Sequence, residues 1–329
     1  MTGAFRIATF NLENLDEPLS GNVPFADRLA ILRSQLQRLR ADIICFQEVN
    51  SQRITSGGGR ELLALTHLLQ GTPYEGWPMA AAGGVSGDEI ADRHNLVIVS
   101  RWPFVARQVF RHALVPPPMV QVMTSEPAQA APQAVEWDRP VLHVEFEIGG
   151  RQVHLINIHL RASLAAFIPG QKVGPVAWQR VSSWAEGFYL ASIKRAGQAL
   201  EVRFLIDRIF DADPEAFIIV AGDFNADDGE VPLRIVRGDE EDTRNGKLAG
   251  RMMVPIDRNV PQGQRFSVIH AGRAMMLDHI LVSRPLLGWF RKAEIHNEAL
   301  GDEVIAASEI EQSPESFHAP LVAEFEVQG

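Results

Sequence analysis

"FIIVAGDFNADD", residues 217–228, is the stretch on which the fold turns. Apolar residues suited to a strand covered on both faces stop at Gly222, and Asp223, Phe224 and Asn225 follow. A carboxylate and an amide spaced two apart share one face, so just past a strand end both can point into a cleft. Gly, Asp and Asn are equally the residues of an ordinary turn. The choice between a turn and a site depends on how the other strands end.

They end in the same way. The strand 5–10 runs out at Asn11, with Glu13 two further on, and the strand 42–47 runs out at Glu48. In 140–160 two alternating runs flank Gly149-Gly150, a hairpin signal, and the second arm carries Asn157 and His159 on one face. Asp278 and His279 open the strand "LDHILVS" (277–283), where alternation sends His279 the opposite way, into packing. His318 precedes the last strand, 320–327. So many acids, amides and imidazoles at strand boundaries exceed what turns require. Carboxylate and amide oxygens without thiolates suit a hard divalent ion, Mg²⁺ or Mn²⁺. Such an ion neutralises phosphate oxygens, a carboxylate can activate water and an imidazole can act as acid. Together they predict phosphoester hydrolysis.

The intervening elements frame this site. "ADRLAILRSQLQRLR" (26–40) places Leu29, Leu32, Leu36 and Leu39 on one helical stripe with arginines opposite. The pattern predicts a second helix over 60–70, a strand over 95–100 and a third helix over 195–210. Helices mixed with buried and half-buried strands predict an α/β fold of two sheets packed face to face, helices outside. No linker divides the chain, so 1–329 reads as one domain with two insertions. The first, 113–135, has five prolines and one charged residue, Glu126, and reads as a surface loop. The second, 163–194, carries Trp178 and Trp184 and either caps the core or walls the cleft.

Composition narrows the class. A chain of 329 residues, 46% hydrophobic and 22% charged, fits a soluble globular protein, and no run is long enough to span a membrane. "MTGAFRIATFNLEN" leads straight into a strand pattern rather than a secretory leader, so a cytoplasmic location is expected. The lone Cys45, inside "DIICF", reads as a buried inert thiol. A formal charge of −10 argues against tight nonspecific binding of duplex nucleic acid, although a local patch or a metal ion can supply positive charge. No obligate protein partner is implied.

Taken in order, six motifs resemble the endonuclease/exonuclease/phosphatase superfamily, related to pancreatic deoxyribonuclease. They are "TFNLEN" (9–14), "FQEV" (46–49), "NIHL" (157–160), "GDFNA" (222–226), "LDHILVS" (277–283) and "FHAP" (317–320). The stretch 265–283 is similar in wording to the catalytic module of bacterial extracellular nucleases. The resemblance implies a four-layer α/β sandwich, two mixed β-sheets packed face to face with helices on the outside, and one active site at the strand ends. It also implies roles. Glu48 is the principal metal ligand, with Asn11, which also meets substrate, and Asp223 beside it, and Asp223 orients or deprotonates the attacking water. Asn225 and His159 bind the scissile phosphate, and Asp278 aligns His318.

Several positions stay open at this level. Arg139, at the hairpin entrance where the family often has a basic residue, contacts phosphate or makes a surface ion pair. Glu13 faces the cleft or solvent, and His94 and Asn95 line the rim or simply begin a strand. Where the family usually reads Ser-Asp-His, this chain reads Ser316-Phe317-His318, which leaves one metal or two undecided. The implied activity is a divalent-metal-dependent phosphodiesterase that hydrolyses nucleic acid by in-line water attack. The alternatives are the same chemistry on a small phosphoester (a phospholipid headgroup, inositol phosphate or nucleotide) and a non-catalytic member of the fold.

Overall fold

The computed structural model describes residues 3–17, 23–54, 58–83, 90–174, 177–304 and 314–327. Its main strands are β1 (Ala4–Leu15), β2 (Ile43–Val49), β3 (Met79–Ala82), β4 (Asn95–Ser100), β5 (Ala106–Phe110) and β6 (Val141–Ile148). They continue with β7 (Arg151–His159), β8 (Phe217–Asp223), β9 (Met253–Pro255), β10 (Asp278–Ser283), β11 (Phe290–Ile295) and β12 (Leu321–Glu326). Two six-stranded sheets result, ordered β11-β12-β1-β2-β4-β3 and β9-β10-β8-β7-β6-β5. Each contains one parallel pair, β1 with β2 and β7 with β8; the other neighbours run antiparallel. Parallel neighbours require a crossover. Helix α1 (Phe25–Leu39) supplies the first; after the short α2 (Leu63–Leu69), helix α3 (Val181–Ala212) supplies the second, and α4 (Val231–Arg237) follows β8.

Strand alternation sorts the side chains into layers. Phe5, Ile7, Ile43, Cys45, Val153, Leu155, Phe217, Ile219, Ile280 and Val282 meet between the two sheets. The alternate residues Ala8, Phe10, Ile44 and Phe46 pack on Leu29, Leu32, Leu36 and Leu39 of α1 and Leu65 of α2. On the far side Ile156, Ile158, Ile218, Val220 and Leu281 pack on Val202, Leu205 and Ile206 of α3 and Leu233 of α4. The arrangement is the expected helix–sheet–sheet–helix sandwich. Burial raises the Cys45 thiol pKa, so it stays protonated and inert.

Several local expectations change. The helix read over 195–210 spans 32 residues, about 48 Å, because it continues through the apolar half of the second insertion. That insertion does not cap the main core. With Val135 of the first insertion, Ala166, Ile168, Leu190 and Ala191 form a small core of their own; Pro175 and Val176 lie outside the described residues. Trp184, Phe188 and Tyr189 remain exposed on α3. The surface stretch 113–135 carries a short ladder of Met119–Val120 with Gln133–Ala134. The helix read over 60–70 begins only at Leu63, since Arg60–Glu61 pairs with Gln52–Arg53. The arginines of α1 are not all opposite its apolar stripe either: Arg28 is buried, and its Nη2 donates to the carbonyls of Leu12 at 2.6 Å and Glu13 at 2.7 Å. Among the described residues no helix is long and apolar enough to cross a membrane.

Candidate active site

The apolar seam between the sheets ends in a polar row. In register, His159 of β7 lies opposite Asp223 of β8, and Asp223 lies opposite Asp278 of β10. All three continue the inward alternation of Leu155, Ala221 and Ile280. Across the seam Asn11 extends the inward series of β1. Its Nδ2 donates to Asp223 Oδ2 at 3.0 Å and, more weakly, to Glu48 Oε1 at 3.4 Å. Its oxygen accepts from the Glu13 N–H at 2.9 Å, while its amide nitrogen orients the two carboxylates.

The abrupt stop at Gly222 now has a cause. Its φ is +146°, and a Cβ there would stand 2.0 Å from the Ile158 carbonyl oxygen, so only glycine lets β8 pass β7 this closely. Glu48 reaches the seam by a different bend. Alternation alone would send it toward α1, but the register breaks between Phe46 and Val49 and a φ of +58° swings it round. Glu13, Asn14, His94 and Asn225 also have positive φ, so left-handed backbone concentrates at this rim. The Asn14 N–H donates to Glu48 Oε2 at 3.1 Å, and His159 Nε2 lies 3.7 Å from Glu48 Oε1 and 3.3 Å from Asp223 Oδ2.

Electrostatics follow from burial and crowding. Asp223 accepts from the Asn225 N–H at 2.8 Å and from Asn225 Nδ2 at 3.1 Å. Burial, and then the neighbouring Asp278, still push its carboxyl up to about 7. His318 Nδ1 bonds Asp278 Oδ2 at 2.8 Å. Burial opposes charge on this ring, yet Asp278, Asp223 and Glu13 outweigh it and hold the imidazole pKa well above its ordinary value. His159 goes the other way: burial, with Arg139, His94 and His318 nearby, lowers it and keeps it neutral. Arg139 is in the site, donating from Nη2 to His94 Nδ1 at 2.9 Å, while His94 Nε2 meets Asn14 Oδ1 at 2.7 Å. Glu13 faces the cleft too; its Oε2 accepts from the Phe317 N–H at 2.9 Å, and burial raises its carboxyl pKa. The Phe317 ring lies toward Gly301.

Three singled-out residues serve elsewhere. Asn157 sits one step deeper and stitches the sheets, accepting from Gln47 Nε2 at 2.8 Å and donating to the carbonyls of Phe46 and Val97. Asn95 is structural, its Nδ2 donating to Val49 O at 2.9 Å. His279 faces away from the cleft as expected, but it is held by a buried ion pair with Asp257 rather than by packing alone. Conversely, sequence reasoning missed Arg28, Asn14, Ser267 and Ser316. Ser267 Oγ accepts the Asp278 N–H at 3.1 Å, and Ser316 Oγ donates to Asn11 O at 2.7 Å. A signal existed for Arg28 alone: it stands four before Leu32, on the apolar stripe.

The donor set fits a hard cation. Asp223, Asp278 and His318 offer ligand atoms within 4.8 Å of one another. Glu48 adds a carboxylate beside them, and Asp278 Oδ1 is buried without a hydrogen-bond partner. Two carboxylates directly opposed on paired strands repel unless positive charge stands between them.

Residues 8–300 match the Endonuclease/Exonuclease/phosphatase family. Among solved structures, a mannosyl-6-phosphatase from Bacteroides thetaiotaomicron aligns with TM-score 0.58 and 14% identity over 98% of this chain and 99% of that one. A 3′ phosphatase, NExo, from Neisseria, bound to a product DNA hairpin, aligns with TM-score 0.55 and 16% identity over 98% and 99%. An AP endonuclease from Archaeoglobus fulgidus aligns with TM-score 0.51 and 17% identity, again over 98% and 99%. At such identities the likeness shows the fold. No curated protein sequence matches the chain.

Proposed function

Because the chain belongs to the endonuclease/exonuclease/phosphatase family, whose chemistry is phosphoester hydrolysis, we propose that it cleaves nucleic acid phosphodiesters by in-line attack of water, with Mg²⁺ or Mn²⁺ held at Glu48. The observation that carries this reading is the row His159–Asp223–Asp278 set against Asn11 and Glu48 and closed by His318. Glu48 and Asp223 would hold the cation, whose positive charge would neutralise the phosphate and the departing oxygen. Asp223, fixed by Asn11 and Asn225, orients the water and takes its proton. His318, charged and aligned by Asp278, donates to the phosphoryl oxygen on which negative charge grows. Neutral His159 presents a hydrogen-bond donor at the same spot, and Arg139 adds positive charge at the mouth. Arg28 holds the Leu12–Glu13 turn from behind, which keeps Asn11 and Glu13 in place.

Incubating the purified protein with single- and double-stranded DNA and RNA, with and without chelator, tests this directly. Chelator-sensitive cleavage is expected; inertness toward all four rejects the nucleic acid substrate. A second reading, a small phosphoester such as a phospholipid headgroup, an inositol phosphate or a nucleotide, draws on the formal charge of −10 and the exposed Trp184–Phe188 stack, 5.7 Å between ring centroids. Faster turnover on a panel of such compounds than on any polynucleotide would favour it. The intact His318–Asp278 pair speaks against a non-catalytic protein.

A further inference from the structure

The hydrolytic site leaves one cluster unused, on the opposite face of the second sheet beneath the end of α3. Glu145 of β6 and His154 of β7 are directly opposed in register, and His143 lies diagonally on the same face. His143 Nε2 is 3.1 Å from His154 Nδ1, which is 3.7 Å from Glu145 Oε1. The three donor atoms all fall within 4.8 Å of one another. A tetrahedral ion with bonds of about 2.0–2.1 Å has a donor–donor edge of roughly 3.3 Å. The two measured spacings bracket that edge.

The surroundings suit a ligand set. Gln152 Nε2 donates to Glu145 Oε2 at 2.6 Å, which fixes the carboxylate and leaves Oε1 toward the imidazoles. A cavity of about 450 Å³ opens over the cluster, bounded by Leu205, Ile209 and Asp213 of the α3 end. Arg151, Arg208 and Asp213 stand on its outer wall. His154 stands five residues before His159 on β7 and faces the other way, so the cluster lies about 17 Å from the catalytic row.

We propose that His143, Glu145 and His154 form a second metal site, for Zn²⁺ or a similar borderline ion, with its fourth position open to water from the cavity. Imidazole nitrogens select Zn²⁺, Co²⁺ and Ni²⁺ over Mg²⁺, so the two sites take different ions. The ion ties the β6–β7 hairpin together beside the C-terminal end of α3, independently of hydrolysis. The competing account is a simple N–H···N hydrogen bond between the two rings.

Chelator-treated full-length protein, titrated with Co²⁺ and Zn²⁺, separates the two. The Glu48→Gln variant removes one catalytic ligand but leaves Asp223, Asp278 and His318, so binding that persists there is assigned to the second site where adding Glu145→Gln removes it. One equivalent lost on Glu145→Gln is expected in both backgrounds, with the visible absorption of a low-coordinate Co²⁺ centre and a rise in Tm on adding Zn²⁺. His154→Gln and Glu145→Gln should weaken that binding at least about tenfold, abolish the Zn²⁺-linked rise and leave Mg²⁺-supported turnover unchanged. Glu145→Gln keeps the side-chain shape, so it decides the matter even where the histidine variant fails to fold. No Co²⁺ or Zn²⁺ binding by Glu48→Gln, or undiminished binding by Glu145→Gln, overturns the proposal.

Discussion

Asp278 and His279 are neighbours on β10, and each belongs to an imidazole–carboxylate pair on a different face of the sheet. Toward the seam, Asp278 holds His318 at 2.8 Å; toward the helical layer, Asp257 holds His279 at 3.2 Å. Both imidazoles are held above their ordinary pKa. The difference lies in access and saturation. The His279 side chain is 0% exposed, and its Nε2 faces the carbonyls of Ala226 at 2.9 Å and Met276 at 3.0 Å. With acceptors on both nitrogens the ring must carry both protons and has none to offer. His318 is 15% exposed and is bound by Asp278 at Nδ1, which leaves Nε2 for a substrate. The same chemical pair is saturated where every proton is taken, and under the proposed reaction it is the open one, at His318, that serves catalysis.

Removing each pair in turn sharpens that contrast. His318→Ala should lower turnover per folded molecule on a cleaved phosphodiester by about 10²–10⁴-fold. Retention of activity within tenfold would erase the distinction between the faces. Asp257→Ala should do the reverse, destabilising the protein by about 3–5 kcal/mol in chemical denaturation, because it strands a buried charge, while turnover per folded molecule stays the same.

The helical-layer pair also has a pH signature. Burial works against charge on His279, but Asp257, the Ala226 carbonyl and Asp278 outweigh it and hold the imidazole up at about 9. An unfolded histidine titrates near 6.5. A folded pKa above the unfolded one means the stabilisation is complete below about 6.5 and is lost as pH rises through 9. The loss should be on the order of 3 kcal/mol across that window. Denaturation midpoints measured from pH 6 to 10 should fall for the wild type, and His279→Gln should flatten the curve. Equal slopes would show that the pair contributes nothing to stability.

The row of site residues was legible because strand alternation carries it: Asn11, His159, Asp223 and Asp278 each continue an apolar series readable in the sequence. Glu48 was legible as a strand-end acid and through the family's motif, although alternation points it the wrong way and a bulge corrects it. Asn157 shared His159's face, and nothing in the spacing reveals that it stops one step short of the cleft. The long α3 was half hidden because Trp184, Phe188 and Tyr189 are exposed, which blurs the amphipathic period over its first turns. The buttresses Ser267 and Ser316 depend on loop paths that no periodicity encodes.

Gly222 joins the two faces. It pairs with Ile158 on one side and with His279 on the other, one residue before the Asp223 row. Gly222→Ala would place a methyl 2.0 Å from Ile158 O in a backbone region alanine avoids, so β8 must draw away from β7. A cost of about 2 kcal/mol is expected from the backbone strain. The separation also moves Asp223 from His159, so turnover should fall more than the stability loss alone explains. If Gly222→Ala lost stability yet kept full turnover, His159 and Asp223 would not have to stand side by side for catalysis, and the seam would owe its activity to Glu48, Asp278 and His318.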